Sequence, residues 1–412
     1  MSKKKNPQKK SPDVRKRILN KRFIDKAYIT TKKILSVYGF DPDIFDKLSK
    51  YQRGVFLHVE TEAPKFKVVE GNRVPRQLVN MVNNSVQQFM RNNYYGDESI
   101  GLTYLDLATF GVSLNAQILC IHDESDRSFP PEQMKIVDAI AEKFDELPVP
   151  NLLEIVGKEI RKHIQMISKV NFRVYGYSWV VPSEIGAGYL KTTVFLYSEE
   201  SEVVYFQYKN QKHKAFRVKA GRVNNTPPWG AKIDHRVIFP ERFGERYLDI
   251  YIQSHALLRV KERMDIFPAH KRNYYAMNPL LYKHRIVTDA SGRAMFECYY
   301  EDTLFGYYPF TIQKNKIFIL TFLPITSPNT PKGELLVKRF GIQKEDMSYL
   351  GMDKLSFFFT VDFSQIPILH EALLEIGLES LVNFAPSDRL PFEIDVQKTL
   401  RIKKFFENAD LP

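Results

Sequence analysis

A chain of 412 residues that is 44% hydrophobic and 26% charged is too long for one ordinary core and too apolar for a disordered tail. Its net charge of +12 favours an anionic partner, nucleic acid ahead of an acidic membrane surface, and no apolar run reaches the ~20 residues that cross a bilayer. Its two cysteines, Cys120 and Cys298, are too few for a thiolate-built zinc cluster and suit core packing in a reducing compartment.

The expected fold class is α+β. Residues 1–25 read as a basic arm, disordered or nascently helical: the first 22 hold ten lysines and arginines against one acid, Asp13. Without that arm the net charge falls to about +3. No apolar stretch follows these lysines, so no secretory signal is expected and the predicted location is cytoplasmic. Residues 26–169 read as a mainly helical domain, the candidate surface for a protein partner. Leu78, Val82, Val86 and Phe89 recur at helical spacing, as do Met134, Val137, Ile140 and Phe144, then Val156, Ile160, Ile164 and Ile167. A short run at 55–59 reads as a strand.

Near Val170 the period drops to two, and 172–177, 191–197 and 203–208 alternate between turn clusters. Residues 170–246 are therefore expected to form a central antiparallel meander. The segment from Asn224 through Pro227 and Pro228 to Gly230 reads as a long loop. Within 247–325 a strand at 247–252 leads into a helix from Ser254, followed by strands at 283–288, 294–300, 303–311 and 316–323. Residues 326–412 read as a mixed region with a strand at 357–361 and helices at 366–382 and 393–406.

The chemistry concentrates at the start of the helix in 247–325. Residues four apart share a helical face, so His255, Arg259 and Arg263 fall in one stripe. Cleaving RNA without metal needs a base, an acid and cations for the charge that builds on phosphorus. Histidine can serve either proton role near neutrality, and arginine supplies fixed charge with bidentate phosphate geometry. A second proton carrier is expected from the facing sheet, with His284 first, then Tyr282 and Thr321. The competing interpretation is a solvated helix face capped by Ser254, with Glu262 pairing locally.

The run Ser254, His255, Ala256, Arg259 and Arg263, entered from a strand and followed by antiparallel strands that end in Ile319, Leu320 and Thr321, resembles a group of small bacterial domains. These belong to the RelE-like branch of the barnase–EndoU–colicin–RelE fold. The resemblance covers about residues 247–325. It implies a helix-plus-antiparallel-sheet unit and metal-independent RNA cleavage, with RNA as partner and His255, Arg259 and Arg263 as site residues, to which the reading of the residues adds His284. The aromatic span from Met264 to Leu281 is longer than in the small domains.

Basic and aromatic residues also interleave on two segments. Lys212, Lys214 and Arg217 accompany Tyr205, Phe206 and Phe216, and Lys271 and Arg272 precede Tyr274 and Tyr275. Such surfaces stack bases and neutralise phosphates, and these five cations are the candidate nucleic-acid contacts. Glu199, Glu200 and Glu202 read as solubilising charge in a turn. No P-loop, dinucleotide fingerprint, HExxH or Gly-x-Ser-x-Gly elbow is present, so neither a cofactor nor a metal is expected. Two functions stay open: a nucleic-acid-associated protein that binds or cleaves RNA, and a non-catalytic structural or interaction protein of a mobile element or phage.

Overall fold

The computed structural model describes residues 12–57, 60–111, 114, 117–118, 121–122, 129–145, 149–180, 189–224, 226–238, 246–282, 284–300, 302–383 and 392–408. Cys120, residues 1–11 of the basic arm and Lys283 lie outside them. The protein is α+β, and the chain divides into two compact units, 1–163 with 177–197, and 164–176 with 198–412.

In the first unit, α1 (Pro12–Val37) buries Ala27, Ile34 and Leu35. Its Lys32 ammonium holds Asp43 and Asp46 at 2.6 and 2.9 Å. After α2 (Lys50–Leu57) and β1 (Glu60–Val68), α3 (Arg76–Asn92) buries Val82, Val86 and Met90 at the spacing its sequence predicts. Helix α4 (Pro131–Asp145) begins on a proline, where a missing N–H costs nothing, and α5 (Val149–Ile167) follows. Strands β2 (Arg173–Val180) and β3 (Tyr189–Glu200), of which residues 177–180 and 189–197 belong to this unit, join β1 in the order β1-β3-β2, with β1 parallel to β3 from Glu60↔Tyr189 to Val68↔Leu196.

The second unit is built on a nine-stranded sheet. Its strands are β4 (Val203–Tyr208), β5 (Gln211–Arg217), β8 (Lys232–Asp234), β9 (Tyr247–Gln253), β10 (Ile286–Thr288), β11 (Ala294–Tyr300), β12 (Thr303–Gln313), β13 (Lys316–Ile319) and β14 (Leu323–Pro324). The path runs β10-β11-β12-β13-β9-β5-β4, with β14 on β12 and β8 on β9. A separate pair, β6 (Lys219–Ala220) with β7 (Trp229–Gly230), supplies pairing inside the segment expected to be loop.

Strand β9 is central and apolar on both faces, as a strand with neighbours on each side must be. Leu248, Ile250 and Ile252 point to one face, where Ile317 and Ile319 from β13 meet Ala256 and Val260 of α6 (Ser254–Arg263) and Ala276 and Leu280 of α7 (Ala269–Tyr282). Tyr251 points to the other face and packs with Phe206, Ala215, Phe318 and Leu320. The Tyr308 hydroxyl donates to the Ala276 carbonyl at 3.0 Å and fastens α7 to β12. Four C-terminal helices, α8 (Pro331–Phe340), α9 (Lys344–Tyr349), α10 (Pro367–Glu375) and α11 (Val396–Asn408), close the first face with Leu336, Leu369, Leu373, Ile402 and Phe406. Cys298 is fully buried in that core.

Several expectations are corrected. The strands between 170 and 246 are not one meander: β2 and β3 join β1, whereas β4 and β5 form a hairpin that extends the large sheet through β9. Residues 55–57 end a helix, with pairing from Glu60 onward, and Phe357–Thr360 is a helical turn rather than a strand. Short apolar runs of this kind carry no period that separates helix from strand. The long helix expected at 366–382 stops at α10 because Gly377 takes φ 76° and ends it. The aromatic span after Met264 is α7, which tolerates an internal Pro279.

Candidate nucleic-acid interface

Helix α6 starts where β9 ends, so its first turn stands at one end of the sheet. Its N-cap is Gln253 rather than the expected Ser254, and the Gln253 amide donates to the Leu320 carbonyl on the neighbouring chain segment. His255 follows on the exposed side, while Ala256 and Val260 face the core. At about 100° per residue, Arg259 lies ~40° around the helix from His255 and Arg263 ~80° around. That rotation carries Arg263 to within about 20° of the buried Ala256.

The drift decides what each arginine does. Arg263 Nη1 donates to the Phe322 carbonyl, and its own carbonyl accepts from Leu355 N at 2.8 Å, so it clamps α6 to the segments that follow β13 and α9. Burial pushes its guanidinium below the usual arginine range, with Arg259 adding to the effect. Arg259 stays at the surface, paired with Glu262 at 2.7 Å, both side chains about two-fifths exposed (40% and 42%). An exposed pair of this kind is held weakly and exchanges readily for a phosphate.

His255 makes no hydrogen bond among the described residues, and its imidazole sits below its ordinary value of 6.5. Partial burial is the main cause, followed by the charges of Arg259 and Arg263, with His213 contributing in the same direction. The ring is therefore neutral at pH 7 and free to accept a proton. Replacing Arg259 with alanine is expected to raise the His255 titration midpoint toward 6.5, read from the imidazole carbon-bound proton shifts by NMR. An unmoved midpoint would remove Arg259 from the site.

His213 is the residue that sequence reasoning missed as a proton carrier. It lies on β5, where Ala215 pairs with Gln253, and the same antiparallel register continued outward brings it level with the start of α6. Its Nε2 lies 3.3 Å from the Tyr208 carbonyl and its ring 5.6 Å from Phe206. Thr321, two residues past the Ile319↔Ile252 pair, is at the same end of the sheet.

His284 is not brought to this place. It precedes edge strand β10, four strand spacings from β9, or roughly 19 Å at ~4.8 Å each. Its Nε2 donates to the Leu280 carbonyl at 2.8 Å and its ring packs against Phe296, so it closes the end of α7. Tyr282 is likewise engaged, accepting from Gln165 and meeting the Trp229 ring edge-on at 5.4 Å.

The five candidate cations divide as well. Lys212 and Lys214 flank His213 on β5, exposed, their ammonium groups 4.8 and 5.1 Å from the Tyr205 and Phe216 rings. Arg217 is spent internally: Nη1 donates to Glu202 at 3.0 Å and Nη2 to Asp249 at 2.9 Å. Glu202 also accepts from the Tyr251 hydroxyl at 2.8 Å, so it is a structural acceptor and not loose solubilising charge. Burial raises its carboxyl, and the Arg217 and Tyr251 hydrogen bonds more than reverse that, leaving it below the carboxylate range.

The Arg217 clamp depends on Gly230, whose absent Cβ would lie 2.3 Å from Arg217 Nε. Gly230→Ala should displace the guanidinium and cost about 1–3 kcal/mol of stability in urea denaturation. A midpoint equal to wild type would show that the clamp carries no stability. Arg272 donates to the Lys261 carbonyl at 3.0 Å and lines a cavity of about 230 Å³ with Lys169 and Lys261, and Lys271, half-buried, precedes it on α7.

His255, His213 and Arg259 thus share one end of the sheet, with Lys212 and Lys214 on the opposite face of β5, while Arg263, His284, Arg217 and Arg272 hold backbone or carboxylates. Among the described residues no helix is long and apolar enough to cross a membrane. Comparison with family models, with curated proteins and with solved structures finds no match to this chain.

Proposed function

We propose that this is a nucleic-acid-associated protein whose RelE-like unit, about residues 247–325, engages RNA at the end of the sheet where α6 begins. One observation carries the reading: the register of β5 on β9 puts His213 at the end of the sheet where α6 begins with His255, and the surface guanidinium of Arg259 stands one turn further on. In metal-free cleavage the neutral His255 takes the 2′-hydroxyl proton and the imidazolium form of His213 gives its own to the leaving oxygen, so the two rings exchange protonation states. Arg259 releases Glu262 and stabilises the phosphorane. A cytoplasmic location and a protein partner for the N-terminal helices belong to the same proposal.

The test is incubation of the purified protein with single-stranded RNA in EDTA, with His255→Ala and His213→Ala beside wild type. Cleavage by wild type, lost in both variants, supports the reading. A second reading has its own support, because Arg263 and His284 serve the backbone and Arg259 is already paired with Glu262. On that reading the unit is a scaffold of a structural protein from a mobile element or phage, and RNA stays intact.

A further inference from the structure

The sheet face that carries Tyr251 holds a second feature, independent of the helix stripe. Hairpins β4–β5 and β12–β13 turn through Lys209-Asn210 and Lys314-Asn315, all four residues in the left-handed region (φ 49°, 62°, 46° and 58°). Paired left-handed residues make the tight two-residue turn whose twist matches its strands, so both tips are stiff. Gln313 Nε2 donates to the Gln207 carbonyl at 2.6 Å and joins the end of β12 to edge strand β4, although 106 residues separate them. Between the hairpins lies a cavity of about 400 Å³.

Its lining combines three rings, Tyr205, Phe206 and Phe318, with three lysines, Lys212, Lys314 and Lys316, and includes no carboxylate. Phe206 and Phe318, both buried, are stacked at 4.1 Å and make the apolar floor beneath the cavity. Tyr205 is 59% exposed and presents its ring beneath the Lys212 ammonium at 4.8 Å. None of the three lysines forms an ion pair among the described residues, in a unit where Arg217, Arg236, Arg293 and Arg339 all do. A concave, ring-lined, acid-free cavity of this size with unpaired ammonium groups suits a flat heteroaromatic ring bearing a phosphate. A lipid surface would need a convex apolar patch in place of a hollow.

We infer that this cavity binds one nucleotide of a single strand, its base on the exposed ring of Tyr205 at the rim and its phosphate on Lys212 and Lys314. The inference deepens the proposed function and rests on it for the polymer. His213, 5.6 Å from Phe206, connects the cavity to the His255 edge, so a strand seated here leads toward the imidazole pair.

Titration of the full-length protein by calorimetry, with adenosine monophosphate, adenosine and inorganic phosphate as separate probes, tests it. The nucleotide should bind more tightly than either fragment. Tyr205→Ala should weaken it about tenfold, and Lys314→Ala about threefold with a smaller salt dependence. Both side chains are exposed, so both variants keep the fold. Nucleotide binding no tighter than phosphate, or unchanged by Tyr205→Ala, overturns the inference, as does equal displacement by an acidic peptide. Loss of the nucleotide with RNA binding intact removes the cavity and leaves the His255 edge. Retention of the nucleotide in a protein that neither binds nor cuts RNA keeps the cavity and removes the edge.

Discussion

His255→Ala is expected to lower the rate of RNA cleavage in EDTA by about 10²–10⁴-fold, the range a positioned proton-transfer group contributes. The melting temperature near pH 7 should stay within about a degree of wild type, because the imidazole is exposed and makes no hydrogen bond among the described residues. The rate of the wild-type protein should rise with pH through the His255 midpoint, which lies below 6.5, as the base becomes neutral. Stability should depend on the same group. The folded protein holds His255 below its free value, so the unfolded chain takes the proton first as pH falls. The contribution is whole above about pH 6.5 and is lost as pH drops through the folded midpoint. His255→Ala removes that acid sensitivity. Cleavage that persists in the variant would detach the activity from α6 altogether.

Arg263→Ala should have the opposite signature, a large loss of stability. Its guanidinium donates to the Phe322 carbonyl from a largely buried position, and its removal leaves that acceptor unpaired and the stem's packing empty. A charged hydrogen bond with buried packing sums to about 2–4 kcal/mol, seen as a lower urea midpoint. The same change should raise the His255 midpoint, since Arg263 is one of the charges that lower it. Arg263→Lys keeps the charge but not the fork, so it should restore the His255 midpoint and recover only part of the stability. An Arg263→Ala protein as stable as wild type would return this residue to the solvated face that the sequence suggested.

Much of the central unit was legible in the sequence. β11 matches its expected span residue for residue, and β9, β12 and α6 differ from theirs only near their ends, because turn residues bound the strands and the i, i+4 stripe marks the helix. Helix α7 was not, since aromatic residues and Pro279 blur its stripe. The parallel β1–β3 pair was equally hidden, since 129 positions separate Glu60 from its partner Tyr189 and no local pattern encodes that distance. At the site, spacing alone exposed His255 and Arg259. It could not show that a carbonyl 59 residues away receives Arg263. His213 was visible only as one member of a basic run. Its relation to His255 arises from the register of β5 on β9, which brings together segments some forty residues apart. The cavity between the hairpins escaped notice for the same reason.

The parallel pairing of β9 with β13 also governs how this chain can emerge from a ribosome. Ile252 waits for Ile319, and until that later strand is translated one flank of β9 stays open, apolar and able to recruit a neighbouring chain. Of the strand pairings in the unit this one spans the longest stretch of sequence, which makes it slow to form. Nascent chains stalled before Lys316 should therefore need chaperone protection or aggregate, whereas release just after the β13 hairpin should relieve both.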